Sequence, residues 1–364
     1  MQIRRVGVLT GGGDCPGLNA VIRSVSKALM QEHDVEVIGF EDGFEGLIEN
    51  RFRQLTWNDV SGILQRGGTI LGTSNKANPF AQVVYRNNER LVLDVSDDVI
   101  RNAEKLGIDA LVCIGGDGSM TIAKGLMNKG LPVIGVPKTI DNDLFGTDYT
   151  FGYDTAVSIA ADAVDRIHTT AQSHHRIMLV EIMGRYAGWL TLGAGIAGGA
   201  DVILIPEIEY DLQAILETVE TRSKRGRRFS IIAVSEGAKP RGGTMTVQRV
   251  VADSPDQIRL GGVSIKLCAE IEAATGLEAR ATILGHLQRG GSPTAFDRVL
   301  ATRYGVAAAQ LAAKGEFGRM VALQAGHITH VAIEEVGGRT RTVDPGHELV
   351  QAAVATGVSM GAKF

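Results

Sequence analysis

Two carboxylates and a lysine crowd one short loop of this chain. In GVPKTIDNDLFG, residues 135–146, Lys138 precedes Thr139, Asp141 and Asp143 directly after an apolar run. If the loop runs extended, alternate side chains share a face, so Thr139, Asp141 and Asp143 converge on one point. One carboxylate can then accept the proton of a hydroxyl nucleophile while the other orients it or completes a metal shell. An aspartate-rich turn capping a helix is the structural alternative for the same residues.

Two glycine loops suggest what the carboxylates act on. VGVLTGGGDCPGLNAVIRSV reads as a strand, a glycine turn containing Gly13 and a helix beginning near Pro16. Glycines let backbone amides approach a phosphate, and a helix N-terminus adds donors. The spacing is neither a dinucleotide fingerprint, because Pro16 stands at the third glycine, nor a Walker loop, because Leu18 and Asn19 replace the required Lys and Ser or Thr. A tight strand-to-helix connection is the bland alternative, and Cys15 reads as an inert packed thiol. In CIGGDGS, Gly116, Gly118 and Ser119 leave room for a polyphosphate, whereas Asp117 is an acid aimed at an anionic site. That pairing makes sense if Asp117 holds Mg²⁺ bridging phosphate oxygens.

Cations come from EIMGRYAGWL, with Arg185, and RATILGHLQRGGSP, with Arg280, His286 and Arg289. A guanidinium is always charged and binds phosphate through a fork, so arginines in such loops suit a phosphate ester or a transferring phosphoryl group. His286 between two arginines reads as a ligand to something polar. His174 and His175 point to different faces and make no metal pair. The sum of these loops is phosphoryl transfer onto a phosphorylated substrate.

These loops need a scaffold that delivers each from a strand end. VGVLT, VEVIGF, ALVCIGG, PVIGVP, RIMLVEIMG, DVILIP, FSIIAVSEG and ATILGHLQRGG each read as a strand followed by a loop. Continuous apolar runs rich in β-branched residues suit parallel strands buried on both faces. The expectation is an α/β layered fold with its chemistry at the carboxyl ends of the strands. At 364 residues and 44% hydrophobic content the chain is long enough for two domains. A net charge of -4 argues against gripping nucleic acid or anionic lipid. The basic run Arg222, Lys224, Arg225, Arg227 and Arg228 reads as a solvated helix end, with an anion contact as the alternative. Three widely spaced cysteines suggest neither disulfides nor structural zinc. With no secretory leader and no spanning segment in the sequence, a soluble protein of a reduced cytoplasm is expected.

The set GGGDCPGLNAVIR, IGGDGS, PKTIDND, FGYDTA, EIMGRYAGWL and LGHLQRGGSP, in this order over roughly residues 3–305, resembles the phosphofructokinase family. The resemblance implies transfer of a phosphoryl group to the 1-hydroxyl of fructose 6-phosphate, giving the 1,6-bisphosphate. It implies two similar layered α/β domains with largely parallel sheets. The donor-binding domain would be residues 1–152 plus about 288–338, and the sugar-phosphate domain residues 153–287 plus 339–364. It also implies a homotetramer whose subunits share active sites.

Residue by residue, Asp141 matches the general base, flanked by Thr139 and Asp143, and Asp117 matches the magnesium-binding acid. Gly13, Gly116, Gly118 and Ser119 match donor-phosphate loops, and Arg185 the arginine that steadies the transferring group. Met183 and Gly184 lie along the sugar. Glu236, His286 and Arg289 match sugar-phosphate ligands of the same subunit, and Arg176 and Arg280 those reaching into a neighbour's site.

The donor is where the chain departs from the common pattern. ATP-using members commonly carry glycine at position 138, whereas pyrophosphate-using members carry lysine there and aspartate at position 118. This chain combines Lys138 with Gly118, like a lineage intermediate between the two classes. An aspartate at 118 would crowd and repel a nucleotide's α-phosphate, whereas Lys138 need not forbid a longer donor, so ATP is favoured and pyrophosphate is the alternative. Asn75 replaces an arginine at the donor phosphates, and Lys27 replaces an effector-site arginine. Two further readings are a related kinase acting on NAD or lipid, which leaves the arginines unexplained, and a nucleotide sensor without turnover, which leaves the acids unexplained.

Overall fold

A computed structural model describes residues 3–87, 89–251 and 258–362. The chain is an α/β protein with two separate, mainly parallel sheets. The first has seven strands in the spatial order His327–Ala332, Arg319–Gln324, Val133–Pro137, Ala110–Gly115, Arg5–Thr10, Glu36–Phe40 and Phe52–Leu55. Its inner five are parallel and its two edge strands antiparallel. The second has four parallel strands in the order Ala279–Ile283, Ile177–Ile182, Ser230–Ser235 and Val202–Leu204. All eight strands expected from the apolar runs form, four in each sheet. Ala110–Gly115, Val133–Pro137, Ile177–Ile182 and Ser230–Ser235 are buried along their whole length, as strands covered by helices on both faces must be.

Helix Tyr153–His174 carries the chain from the first sheet to the second. Helix Ala295–Lys314 carries it back, packing along helix Leu18–His33 before strand Arg319–Gln324 joins Val133–Pro137. Gly305 makes that helix pair possible, because a Cβ there would lie 2.0 Å from Ser24 Oγ. The last segment returns to the second sheet, where Ser359 bridges Val202. The basic run ends helix Leu212–Lys224, and within it Arg222 pairs with the half-buried Asp201 at 2.7 Å. No helix among the described residues is long and apolar enough to cross a membrane.

Candidate active site

The loops singled out in the sequence leave the carboxyl ends of their strands. Gly11–Gly13 follow Arg5–Thr10, Gly116 and Asp117 follow Ala110–Gly115, and Lys138–Asp143 follow Val133–Pro137. From the second sheet, Met183–Arg185 follow Ile177–Ile182, Glu236 follows Ser230–Ser235, and His286 and Arg289 lie in the 3₁₀ turn Gly285–Arg289 after Ala279–Ile283. Gly12, Gly13, Gly116, Gly118, Ser119, Lys138, Thr139, Asp141 and Arg289 line one cleft of about 490 Å³.

The aspartate loop bends instead of running extended. Asn142 adopts a left-handed conformation at φ 52°, because its side chain is fixed by accepting the Thr150 N–H at 2.9 Å and donating to the Asp148 carbonyl at 3.2 Å. Thr139 Oγ1 accepts the Asp141 N–H at 3.1 Å, and the Thr139 side chain partly offsets the rise in the pKa of Asp143, so the three residues meet through a turn.

Asp141 is the least satisfied acid of the cleft. Its Oδ1 is buried with no hydrogen-bond partner among the described residues. Burial pushes its pKa up, against the opposing pull of Arg289 and Lys138. Asp143 is raised to about 7, first by burial and then by Asp141. Glu236 also reaches about 7, through burial followed by Asp141 and Glu181, so the acids of both sheets feel one another across the site. Such carboxyls are poised to take a proton near neutral pH.

The cations divide into two groups. Lys138 is buried and its Nζ donates to the Gly13 carbonyl; burial lowers its pKa. Arg289 donates to the Asp14 carbonyl at 3.1 Å and lies so close to the first glycine turn that a Cβ on Gly13 would meet its Nη1 at 2.8 Å. Arg185 donates to the Ile258 carbonyl and packs 5.0 Å from the Tyr186 ring centroid. Gly184, at φ 132°, takes the sharp bend before it. His286 is exposed on a neighbouring open groove shared with Ile159 and Leu287.

Arg176 and Arg280 are not brought to this cleft. Arg176 immediately precedes strand Ile177–Ile182, six residues or roughly 20 Å from its carboxyl end, and Arg280 is the second residue of strand Ala279–Ile283, three residues or roughly 10 Å from its carboxyl end. Both pair with Glu278, Arg176 at 2.5 Å.

Asp117 opens helix Asp117–Asn128, and its Oδ1 accepts the Gly338 N–H at 2.6 Å, leaving Oδ2 for a ligand. No cluster of three or more His, Cys, Asp or Glu residues suited to a metal occurs among the described residues. One carboxylate beside glycine turns fits an ion such as Mg²⁺, which would need only one or two protein carboxylates to hold it. Gly118 follows with an ordinary φ, and a Cβ added there would meet no described atom within 4 Å, so the protein itself does not require glycine at this position.

Ser74, Asn78 and Phe44 also line the cleft, together with Asn75. Only Asn75 was marked by the sequence; the rest come from turns and a short helix without glycine or charge patterns. Lys76 lies in a separate small cavity with Glu45 and Tyr85. Cys15 is fully buried and its thiol is pushed up to about 12 by burial, as an inert thiol should be. Lys27 lies 3.9 Å from the Trp57 ring centroid.

The chain is similar to known proteins in both sequence and fold. The family described as "Phosphofructokinase" matches residues 5–312. A Clostridium perfringens protein named ATP-dependent 6-phosphofructokinase 2 is 53% identical over 359 residues, 98% of each chain. A Streptomyces coelicolor protein named pyrophosphate–fructose 6-phosphate 1-phosphotransferase is 50% identical over 342 residues, 94% of this chain and 96% of its own. The structure of Pichia pastoris phosphofructokinase in the T-state superposes with a TM-score of 0.78 at 32% identity, over 92% of this chain and 38% of that longer one. With its site loops at the facing strand ends and its sequence matched over most of its length, this chain belongs to the phosphofructokinase family.

Proposed function

We propose that the protein transfers the γ-phosphoryl group of ATP to the 1-hydroxyl of fructose 6-phosphate. The observation that carries this reading is Asp141: a buried carboxylate with an open Oδ1, set between a glycine-lined cleft and the loops of the second sheet. The sugar hydroxyl oxygen forms a bond to the γ-phosphorus as the bond to the β-phosphate bridging oxygen breaks. The hydroxyl proton passes to Asp141, and ADP leaves with the bridging electron pair. Thr139 and Asp143 hold the loop in place for this proton transfer. Arg185 stabilises charge on the transferring group, and Glu236, His286, Arg289, Met183 and Gly184 form the sugar-phosphate side.

Asp117 would hold Mg²⁺, which would supply positive charge to offset that of the donor phosphates. Gly13, Gly116, Gly118 and Ser119 form the donor cradle. Residues 1–152 plus about 288–338 make up the donor-binding domain in this reading, and residues 153–287 plus 339–364 the sugar-phosphate domain. The position of Arg176 and Arg280, neither of which lines the cleft of its own Asp141, supports a homo-oligomer, a tetramer in this reading, in which they serve a neighbour's site. A cytoplasmic setting is supported by three cysteines that are all buried and free.

A pyrophosphate donor is the second reading, favoured by one observation: the buried Lys138 ammonium sits on the Gly13 turn at the cleft. Formation of fructose 1,6-bisphosphate by the purified protein with Mg²⁺, ATP in one reaction and pyrophosphate in the other, separates the two. Product with ATP alone supports the first reading, and product with pyrophosphate alone replaces it with the second.

A further inference from the structure

The family match ends at residue 312, yet the segment after the last hairpin reaches back to the catalytic loops. Following the short helix Ile333–Val336, residues 338–343 run along the aspartate loop as a strap. Gly338 donates to Asp117, the Arg339 guanidinium lies 3.5 Å from the Phe145 ring centroid, and Thr340 forms an antiparallel bridge with Leu144.

Arg341 is the centre of the strap. Its backbone N–H donates to the Asp143 carbonyl at 2.7 Å, and its Nη1 donates to the Asn142 carbonyl at 3.1 Å. Its guanidinium lies 4.1 Å from the Trp189 ring centroid, and its own carbonyl accepts the Trp189 indole N–H at 2.9 Å. Val343 then donates to Glu207 at 2.7 Å, and the same carboxylate oxygen accepts the Gly188 N–H at 3.0 Å. One segment therefore grips the Asp117 carboxylate, the aspartate loop and the start of helix Trp189–Ala197, which follows Arg185.

The physical need for such a grip lies in Asn142. A left-handed residue persists only where its surroundings over-determine it, and a flip to the right-handed region would redirect the flanking side chains. Asn142's side chain is held from one side by Thr150 and Asp148; its carbonyl and the next one are held from the other side by Arg341. We propose that Arg341 is a positioning residue for phosphoryl transfer, clasping the Asn142 and Asp143 carbonyls so that the bent loop presents Asp141 to the acceptor hydroxyl. The proposal rests on the reading of Asp141 as the base.

Two variants test it. Arg341→Met keeps an unbranched stem against Trp189 and removes the charge and donors, whereas Arg341→Lys keeps the charge and a donor but not the fork. A misplacement on the order of 1 Å lowers a rate about 100-fold, so Arg341→Met is expected to lose about 10- to 100-fold in kcat. The KM values for ATP and fructose 6-phosphate stay near those of the parent, and Arg341→Lys recovers part of the loss. Trp189 reports the strap by fluorescence, with Trp57 as the only other tryptophan.

A shifted Trp189 emission with parental kcat overturns the proposal, because the strap has then moved without consequence. Loss expressed only in KM overturns it too. Should Arg341→Met fail to fold, Arg341→Lys decides alone: lower kcat at unchanged KM supports the proposal, and parental kcat refutes it. A parent inactive with both donors overturns the proposed function itself, whereas an active parent matched by its Arg341 variants overturns only the strap.

Discussion

Gly118→Asp isolates the donor argument. A Cβ at 118 meets no described atom within 4 Å, and the position lies in the first turn of helix Asp117–Asn128. Replacing a helical glycine and adding a negative charge near a helix N-terminus are each worth up to about 1 kcal/mol of stability, so the variant should fold and unfold at or above the parental temperature. Its effect falls on the ligand instead. A carboxylate about 4 Å from a phosphate charge in a surface cleft is repelled by about 4 kcal/mol, or roughly a thousandfold in kcat/KM for ATP. Pyrophosphate, whose two phosphates correspond to the β and γ groups alone, has no α-phosphate and escapes most of that penalty. Coupled assays of fructose 1,6-bisphosphate formation with each donor, alongside Gly118→Ala to separate bulk from charge, measure both effects. A folded Gly118→Asp whose kcat/KM for ATP stays within about tenfold of the parent, about 1.4 kcal/mol, refutes the steric and electrostatic reasoning.

Asp141→Asn should cut kcat by about 10²- to 10⁴-fold, the usual worth of a general base, while leaving the fold at least as stable, since a buried unpaired acid is removed; an active Asn variant would remove Asp141 from the mechanism. Asp143 and Glu236 titrate near 7 in the folded protein, above the usual carboxylate range, so the native state binds more protons than the unfolded chain between about pH 4 and 7. Their contribution to stability therefore falls as pH rises through that window. Calorimetry should show the unfolding temperature of Glu236→Gln declining less steeply there than the parent's; parallel curves would show that Glu236 does not titrate near 7. For the shared site, Arg280→Ala and Asp141→Asn proteins, each weakly active, should regain activity when mixed and reassociated, because some sites then combine an intact Asp141 with a partner's intact Arg280. No recovery despite subunit exchange would place Arg280 outside the neighbour's site.

The residue pattern reached furthest where burial is symmetric. Strands such as Ala110–Gly115 and Ile177–Ile182 are covered on both faces, so their apolar runs are continuous and end at a glycine or charged loop. The strands that escaped notice include Gln82–Arg86 with Glu89–Leu93 and Arg319–Gln324 with His327–Ala332, antiparallel hairpins. Three of these four have exposed or half-exposed faces and carry no uninterrupted apolar signal.

The identity and order of the reacting groups are properties of the sequence itself: acids, glycines and arginines at strand ends specify phosphate chemistry because few other ligands require that combination. The placement of those groups is a tertiary matter. The Asp141 loop bends through Asn142 because Thr150, Asp148 and Arg341 hold it, and all three lie six or more residues away with no local motif. Arg289 reaches the first glycine turn from 275 residues further along the chain, and Arg341 grips Asn142 across 199. Local residue types set what chemistry each loop can perform, but only long-range packing, which brings the two sheets' strand ends together, decides which carboxylate is left buried, unpartnered and ready to accept a proton.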